Sequence, residues 1–218
     1  MQIQSHIINT IPVFNLEGTL KKVIHFSKHT TYSHVAIVEN NYFLGVLSEN
    51  DLETFESEKK IEDYKYNLES FFVLKSTSWL DVLEKFARNE CNLLPVLDEE
   101  NKVLGYYDLN DIVGVFIDTP FFTEPGGILV LEKNIKDYSF SEISQIVESN
   151  NTRLLGAFIT DIRNDILQIT IKISTGNFSE VVHTFRRYNY NILFGNKDDQ
   201  FIENLKERSD YLDKYLNV

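Results

Sequence analysis

Short apolar runs, four or five residues long, recur along the chain between stretches whose apolar residues return every three or four positions. The first is the length of a buried strand, the second the spacing of one helix face. Runs 11–14 and 71–74 each lead into such a stretch, and in the second of these Trp79, Leu83, Phe86 and Ala87 fall on one face. Buried-type strands follow at 35–38 and 94–97, polar turns at 39–41 and 98–101, and second strands at 43–47 and 103–107. Each second strand carries a glycine, Gly45 or Gly105, and gives way to a helix near Asp51 or Asp111. A shift of about 60 residues superposes Val13 on Val73, Leu20 on Leu80, Phe26 on Phe86, Leu44-Gly45 on Leu104-Gly105 and Asp51 on Asp111. Strands 35–38 and 94–97 correspond with a one-residue slip. The pattern predicts two β-α-β-β-α copies, each a small sheet with helices on one face, packed sheet to sheet.

The pattern changes after Phe116. Thr119-Pro120 and Glu124-Pro125-Gly126-Gly127 are turn chemistry, and 119–127 reads as a linker. Beyond it, 128–131 is a short strand, and Ser139-Phe140-Ser141-Glu142 has the form of a capping box opening a helix with Phe140, Ile143 and Val147 on one face. Residues 155–162 are strand-like and Arg163-Asn164-Asp165 is a hairpin turn. In 166–173, Leu167, Ile169, Ile171 and Ile173 alternate with Gln168, Thr170 and Lys172. Asn177 is placed to cap a helix bearing Phe178, Val181, Val182 and Phe185, and 190–194 closes as a strand. This order, β-α-β-β-α-β, is a ferredoxin-like plan. Residues 197–218, with Phe201, Ile202, Leu205, Leu212 and Leu216 among charges, read as an amphipathic helix. The predicted organisation is 1–118 for the pair (motif one about 8–58, motif two about 68–117), 119–127, 128–196 and 197–218, an α/β (α+β) chain.

Composition narrows the function. Of the 218 residues, 43% are hydrophobic and 25% charged, an ordinary globular profile. Lys and Arg total 21 against 33 Asp and Glu, a net charge of -12, which repels nucleic-acid backbones and anionic membranes. One cysteine, Cys91, excludes an intrachain disulfide and points to a reducing compartment. No apolar run approaches the ~18 residues of a bilayer span, and residues 1–14 lack the basic start and apolar core of a secretory signal. A cytoplasmic location is expected. The sequence holds no G-x-S-x-G, phosphate-loop, H-E-x-x-H or C-x-x-C signature, so no enzymatic activity is expected. His25 and His29 have a metal-ligand spacing but fall beside Lys22, away from the face of Leu20, Val23 and Ile24, and are read as solvated. No resident cofactor or metal is expected.

The two helix-opening endings are Gly45-Val46-Leu47-Ser48-Glu49-Asn50-Asp51-Leu52 and Gly105-Tyr106-Tyr107-Asp108-Leu109-Asn110-Asp111-Ile112. They resemble the G-h-h-[ST]-x-x-D-h ending of CBS motifs, with h apolar, and the pair resembles a Bateman module. A ferredoxin-like domain behind such a pair is similar to an ACT-type domain, in the arrangement of acetoin-utilisation AcuB-like proteins. The resemblance implies a regulatory protein binding AMP, ADP, ATP or another adenosine-containing ligand in clefts between the motifs, and forming a homodimer or acting on a protein partner. It places the ribose on Asp51 or Asp111, whose carboxylates accept from both hydroxyls, and a phosphate on Ser48. The nucleobase would lie against His34 and Val35, or Leu94 and Pro95. Asp108 replaces the hydroxyl in the second motif, and Asn50 and Asn110 stand where family members often carry Lys or Arg. Ser48 and Asp108 also suit plain helix capping. The alternative is therefore a structural or interaction module with empty clefts. ACT domains that bind amino acids usually turn through Pro-Gly between the first strand and helix, whereas here residues 133–138 hold no glycine.

Overall fold

The computed structural model describes residues 3–195, so the helix expected over 197–218 lies outside the described residues. Two compact units divide between Ile117 and Asp118.

In the first unit the predicted repeat is present element for element. The first copy comprises β1 (Phe14–Asn15), α1 (Leu20–Lys28), β2 (His34–Glu39), β3 (Tyr42–Ser48) and α2 (Glu49–Thr54). A 3-10 segment, Ile61–Asn67, leads to the second copy: β4 (Val73–Leu74), α3 (Trp79–Arg88), β5 (Leu93–Leu97), β6 (Val103–Asp108) and α4 (Leu109–Ile117). Each copy builds a three-stranded sheet with its middle strand parallel to the first and antiparallel to the third. The hairpins turn where sequence chemistry allows: Asn40 and Asn41 adopt φ of 50° and 70°, and Asn101 a φ of 62°.

Because β2 and β5 are covered on both faces, their residues are apolar in succession rather than alternating. Val35, Ile37 and Leu47 join Leu20 and Val23 of α1 in one core, and Leu94, Val96 and Tyr107 join Val82 and Phe86 of α3 in another. Ala36, Leu93 and Tyr106, all fully buried, form the seam between the sheets. The Tyr106 hydroxyl accepts from Ala36 N (3.1 Å) and donates to Pro12 O (3.0 Å), which ties the second sheet to the first.

The segments leading into the motifs are exchanged. Ile8 pairs with Tyr106 of β6 through bonds of 2.8 and 2.9 Å, and Glu69 pairs with Val46 of β3 through bonds of 2.9 and 3.0 Å. Ile3, which precedes the first motif, is buried in the second motif's core. Each motif thus completes its partner's sheet.

The second unit comprises α5 (Pro120–Thr123), β7 (Gly126–Asn134), α6 (Phe140–Ser149), β8 (Leu154–Arg163), β9 (Ile166–Ser174), α7 (Phe178–Arg187) and β10 (Asn191–Gly195). The antiparallel sheet order β10-β7-β9-β8 is that of a ferredoxin-like βαββαβ plan. Leu167, Ile169, Ile171 and Ile173 are all buried, as the alternation predicts. Asn164 and Asp165, with φ of 49° and 63°, make the predicted hairpin turn. The 119–127 segment is more ordered than its turn residues suggest. Pro120 opens a helical turn, and β7 starts at Gly126, where the backbone runs too close to Ile173 O for a side chain. Two capping expectations are modified. The Ser139 hydroxyl accepts from Glu142 N, but the Glu142 carboxylate turns away to Lys133 Nζ (2.7 Å). Asn177 occupies the N-cap of α7 without a side-chain cap bond.

Candidate functional site

The site grows from the junction of β3 with α2. Ser48 ends β3 in extended backbone, and its Oγ accepts from Asp51 N at 3.1 Å, which satisfies one of the free N–H groups opening α2. Asp51 sits half-buried in the first turn. Across the sheet, His34 stands opposite Ser48 in the β2–β3 register. Ser48 and His34 are therefore neighbours across the hairpin, and Asp51 lies on the first turn of the helix that Ser48 caps.

His34 is 8% exposed. Its Nδ1 lies 2.9 Å from Ser33 Oγ, its Nε2 lies 3.5 Å from Glu69 Oε1, and its ring meets Phe71 edge-on at 5.1 Å. Burial pushes its pKa below the ordinary imidazole value, against the opposing pull of Glu69 and, more weakly, Asp51. Burial thus favours the neutral imidazole, although both carboxylates favour its charged form. Glu69 and Phe71 come from the lead-in of the second motif, so residues of both motifs surround His34.

Ser33 and Asn92, at matching positions just before β2 and β5, lock the two halves reciprocally. Ser33 N donates to Asn92 Oδ1 (2.8 Å), and Asn92 N donates to Ser33 Oγ (2.9 Å). Their carbonyls accept from Glu49 N and Leu109 N, the first residues of α2 and α4. The loop that carries His34 is thereby fixed to the start of both helices that carry the hallmark aspartates.

The remaining expected residues fall elsewhere. The side chains of Val35 (2% exposed) and Leu94 (0% exposed) point into the helix-side cores rather than the crevice. Pro95 is buried opposite Tyr106, and Leu93, not Leu94, is the register equivalent of His34, because it stands opposite Asp108. Asp111 is exposed on the first turn of α4, and Asp108 Oδ1 accepts from Asn110 N at 2.7 Å. The second copy thus presents leucine and an occupied carboxylate where the first presents His34 and Ser48.

Sequence reasoning missed Glu69, Phe71, Ser33 and Asn92. The repeat holds one faint signal: the exchanged position filled by apolar Ile8 in one copy is filled by charged Glu69 in the other. Cys91 is a buried thiol that burial pushes up to about 11, which disfavours the reactive thiolate. His25 and His29 stack at 4.2 Å, with His29 Nδ1 2.7 Å from the His25 carbonyl.

The CBS domain family model matches residues 63–118. Over those residues the second motif is similar to a CBS domain. The first motif repeats its element order, register and exchanged strand. The chain is 24% identical over 114 residues to an uncharacterised protein of Methanocaldococcus jannaschii, a stretch covering 52% of this chain and 43% of that protein. It therefore spans less than half the length of that relative. Among solved structures it is similar to a CBS domain pair/ACT domain protein from Thermotoga maritima (20% identity, TM-score 0.49, 54% of this chain and 98% of that chain). It is also similar to the CBS domains of a transcriptional regulator from Streptococcus pneumoniae (14%, TM-score 0.47, 52% and 98%). A third similar structure is CBSX2 in complex with AMP (14%, TM-score 0.44, 53% and 96%). Among the described residues, no helix is long and apolar enough to cross a membrane.

Proposed function

We propose that the CBS pair is a non-catalytic, cytoplasmic sensor that binds an adenosine-containing compound in the crevice of Ser48, Asp51 and His34 and passes its occupancy to a partner protein or a homodimer. One observation carries this reading. Asp51 sits at the opening of α2 with a carboxylate that the helix cap does not use, since Ser48 Oγ takes the cap through Asp51 N. A carboxylate there accepts from two ribose hydroxyls, each such charge-assisted bond contributing about 1.5–3 kcal/mol. Because Glu69 and Phe71 belong to the other motif, a ligand that displaces or tightens them alters how the motifs clasp, which is the differential contact a switch requires. The order of a CBS pair before a ferredoxin-like, ACT-type unit extends the reading to a regulator of the AcuB-like kind.

Titration of the full chain with AMP, ADP, ATP, adenosine and S-adenosylmethionine, followed by calorimetry and thermal shift, tests this. At least one compound is expected to bind and to raise the melting temperature, and Asp51→Ala is expected to weaken it by about tenfold or more. A flat titration, or binding unchanged in Asp51→Ala, overturns the assignment. The second reading, a pair with unfilled clefts acting as an interaction module, is favoured by the Glu69–His34 contact and the edge-on Phe71 ring, which already occupy part of the crevice. A flat titration combined with a stable dimer supports it.

A further inference from the structure

Among the described residues, the helices of the second unit cover one face of its sheet and leave the other open. Leu167, Ile169, Ile171 and Ile173 of β9 are buried with residues of α6 and α7, so the alternate residues face away from those helices. The strand registers align these alternates across all four strands. Phe194 of β10 stands beside Val130 of β7, Val130 beside Thr170 of β9, and Thr170 beside Phe158 of β8. Phe194 is 53% exposed and Phe158 43%. A second row runs from Ile128 (39% exposed) through Lys172 to Gly156. Helix α5 stands on the β8 end of this face. The Phe121 ring packs against Gly156, where a Cβ would lie 2.4 Å from it, and meets Phe158 edge-on at 5.0 Å. Lys172 Nζ donates to Phe122 O at 3.4 Å. The face is thus apolar, walled by α5 at β8 and unwalled at β10.

We propose that this open face is the docking surface of the chain's own residues 198–218, which seat on it as an amphipathic helix and form the layer opposite α6 and α7. At 100° per residue, Phe201, Ile202, Leu205, Leu212 and Leu216 fall within about 100° of arc, one apolar stripe. The described chain leaves the sheet at Gly195, one residue past Phe194, on the edge strand that borders the face. A helix over 201–216 spans about 24 Å. Four strands spaced about 4.8 Å apart are roughly 15 Å across, so the stripe reaches from Phe194 to Phe158. Three arguments favour this segment over a second copy of the chain. Two sheets pack face to face at about 10 Å, and α5 standing on the face keeps another sheet off it. Acidic residues outnumber basic ones in 198–218, which suits the cation that Lys172 places in the second row. The stripe is also tethered only a few residues from the edge strand, at an effective concentration in the millimolar range, which a second copy does not match at micromolar protein. Covering this face leaves the β8 edge as the strand surface open to pairing.

Hydrogen exchange of the full chain, read by mass spectrometry at low and high protein concentration, tests the proposal. Amides of 201–216 are expected to exchange at least about tenfold more slowly than those of an unstructured chain, equally at both concentrations. An undocked helix of this length is marginal in water and slows exchange by only about a few-fold. Phe194→Asp on the face and Leu205→Asp on the segment are each expected to return those amides to near the unstructured rate, while the amides of β9 keep their protection. Leu205→Asp is also expected to raise the fluorescence of the apolar dye ANS, because it uncovers the face. Unprotected amides over 201–216 in the wild-type chain, or protection that survives both substitutions, overturn the proposal. Protection that appears only at high concentration also overturns it, and assigns the face to a second copy. Leu205 lies outside the described sheet, so its variant decides the matter even if Phe194→Asp does not fold.

Discussion

At the scale of single residues, the hallmark glycines have a mechanical reason. Gly105 has φ +152°, and a Cβ built on it would lie 2.5 Å from Ile8 O. Gly45 meets Glu69 O in the equivalent way. Both are small because the exchanged lead-in segment crosses directly over them. Gly105→Ala is therefore expected to destabilise the first unit by about 2 kcal/mol or more, from backbone strain together with the displaced Ile8–Tyr106 pairing. Urea unfolding followed by far-UV circular dichroism measures this, and a variant as stable as wild type would sink the account. The Asn-containing turns were legible in sequence because their constraint is local, and the glycines through their recurrence in the two copies. Glu69 was not, because its role comes from a neighbour 35 positions away, His34, reached only through the exchange.

At the scale of elements, strand β9 was readable from its alternation alone, since one face is buried and the other is not. The link between β7 and α6 was not. Lys133, whose side chain is 10% exposed, donates to Glu142 Oε1 (2.7 Å) and Tyr188 O (2.9 Å) and lies 4.0 Å from the Tyr190 ring centroid. This bond, more than any other cause, holds the Glu142 carboxyl below its ordinary value. The native state therefore binds fewer protons there than the unfolded chain does. The resulting stability is fully present above the unfolded carboxyl value, about 4.3, and is lost as pH falls through the lower native value. Unfolding titrations of the full chain between pH 7 and pH 3 are expected to show this acid-side loss, and Lys133→Met is expected to lower stability near pH 7 and flatten the profile below pH 4.3. An unchanged acid limb in Lys133→Met would refute the linkage. The same ion pair sits between the first strand and helix of the ferredoxin-like unit, where the sequence also lacks a Pro-Gly turn.

At the scale of the whole molecule, each unit leaves apolar surface uncovered. In the second unit the edge strand β8 exposes Phe158 (43%), Ile159 (40%) and Ile162 (56%). Among the described residues β8 is an edge strand, a surface open to strand pairing, and the proposed homodimer would form there. The wild-type chain is expected to run as a dimer in light scattering, and Ile162→Lys to shift it toward monomer without loss of secondary structure. A wild-type chain that stays monomeric at high concentration would remove this part of the proposal.

The sequence alone determined the element types, the repeat, the turns and the plan of both units, because strand and helix periods, capping hydroxyls and Asn-rich turns are properties of neighbouring residues. The resemblance of the helix-opening ending singled out Ser48, Asp51 and His34, and the β2–β3 register sets His34 opposite Ser48. Only the tertiary structure decided which motif each lead-in segment serves, that Glu69 faces His34, and that Val35 and Leu94 turn toward helices. Those outcomes depend on which distant backbone passes over Gly45 and Gly105, and periodicity along a chain carries no information about the strand that crosses it.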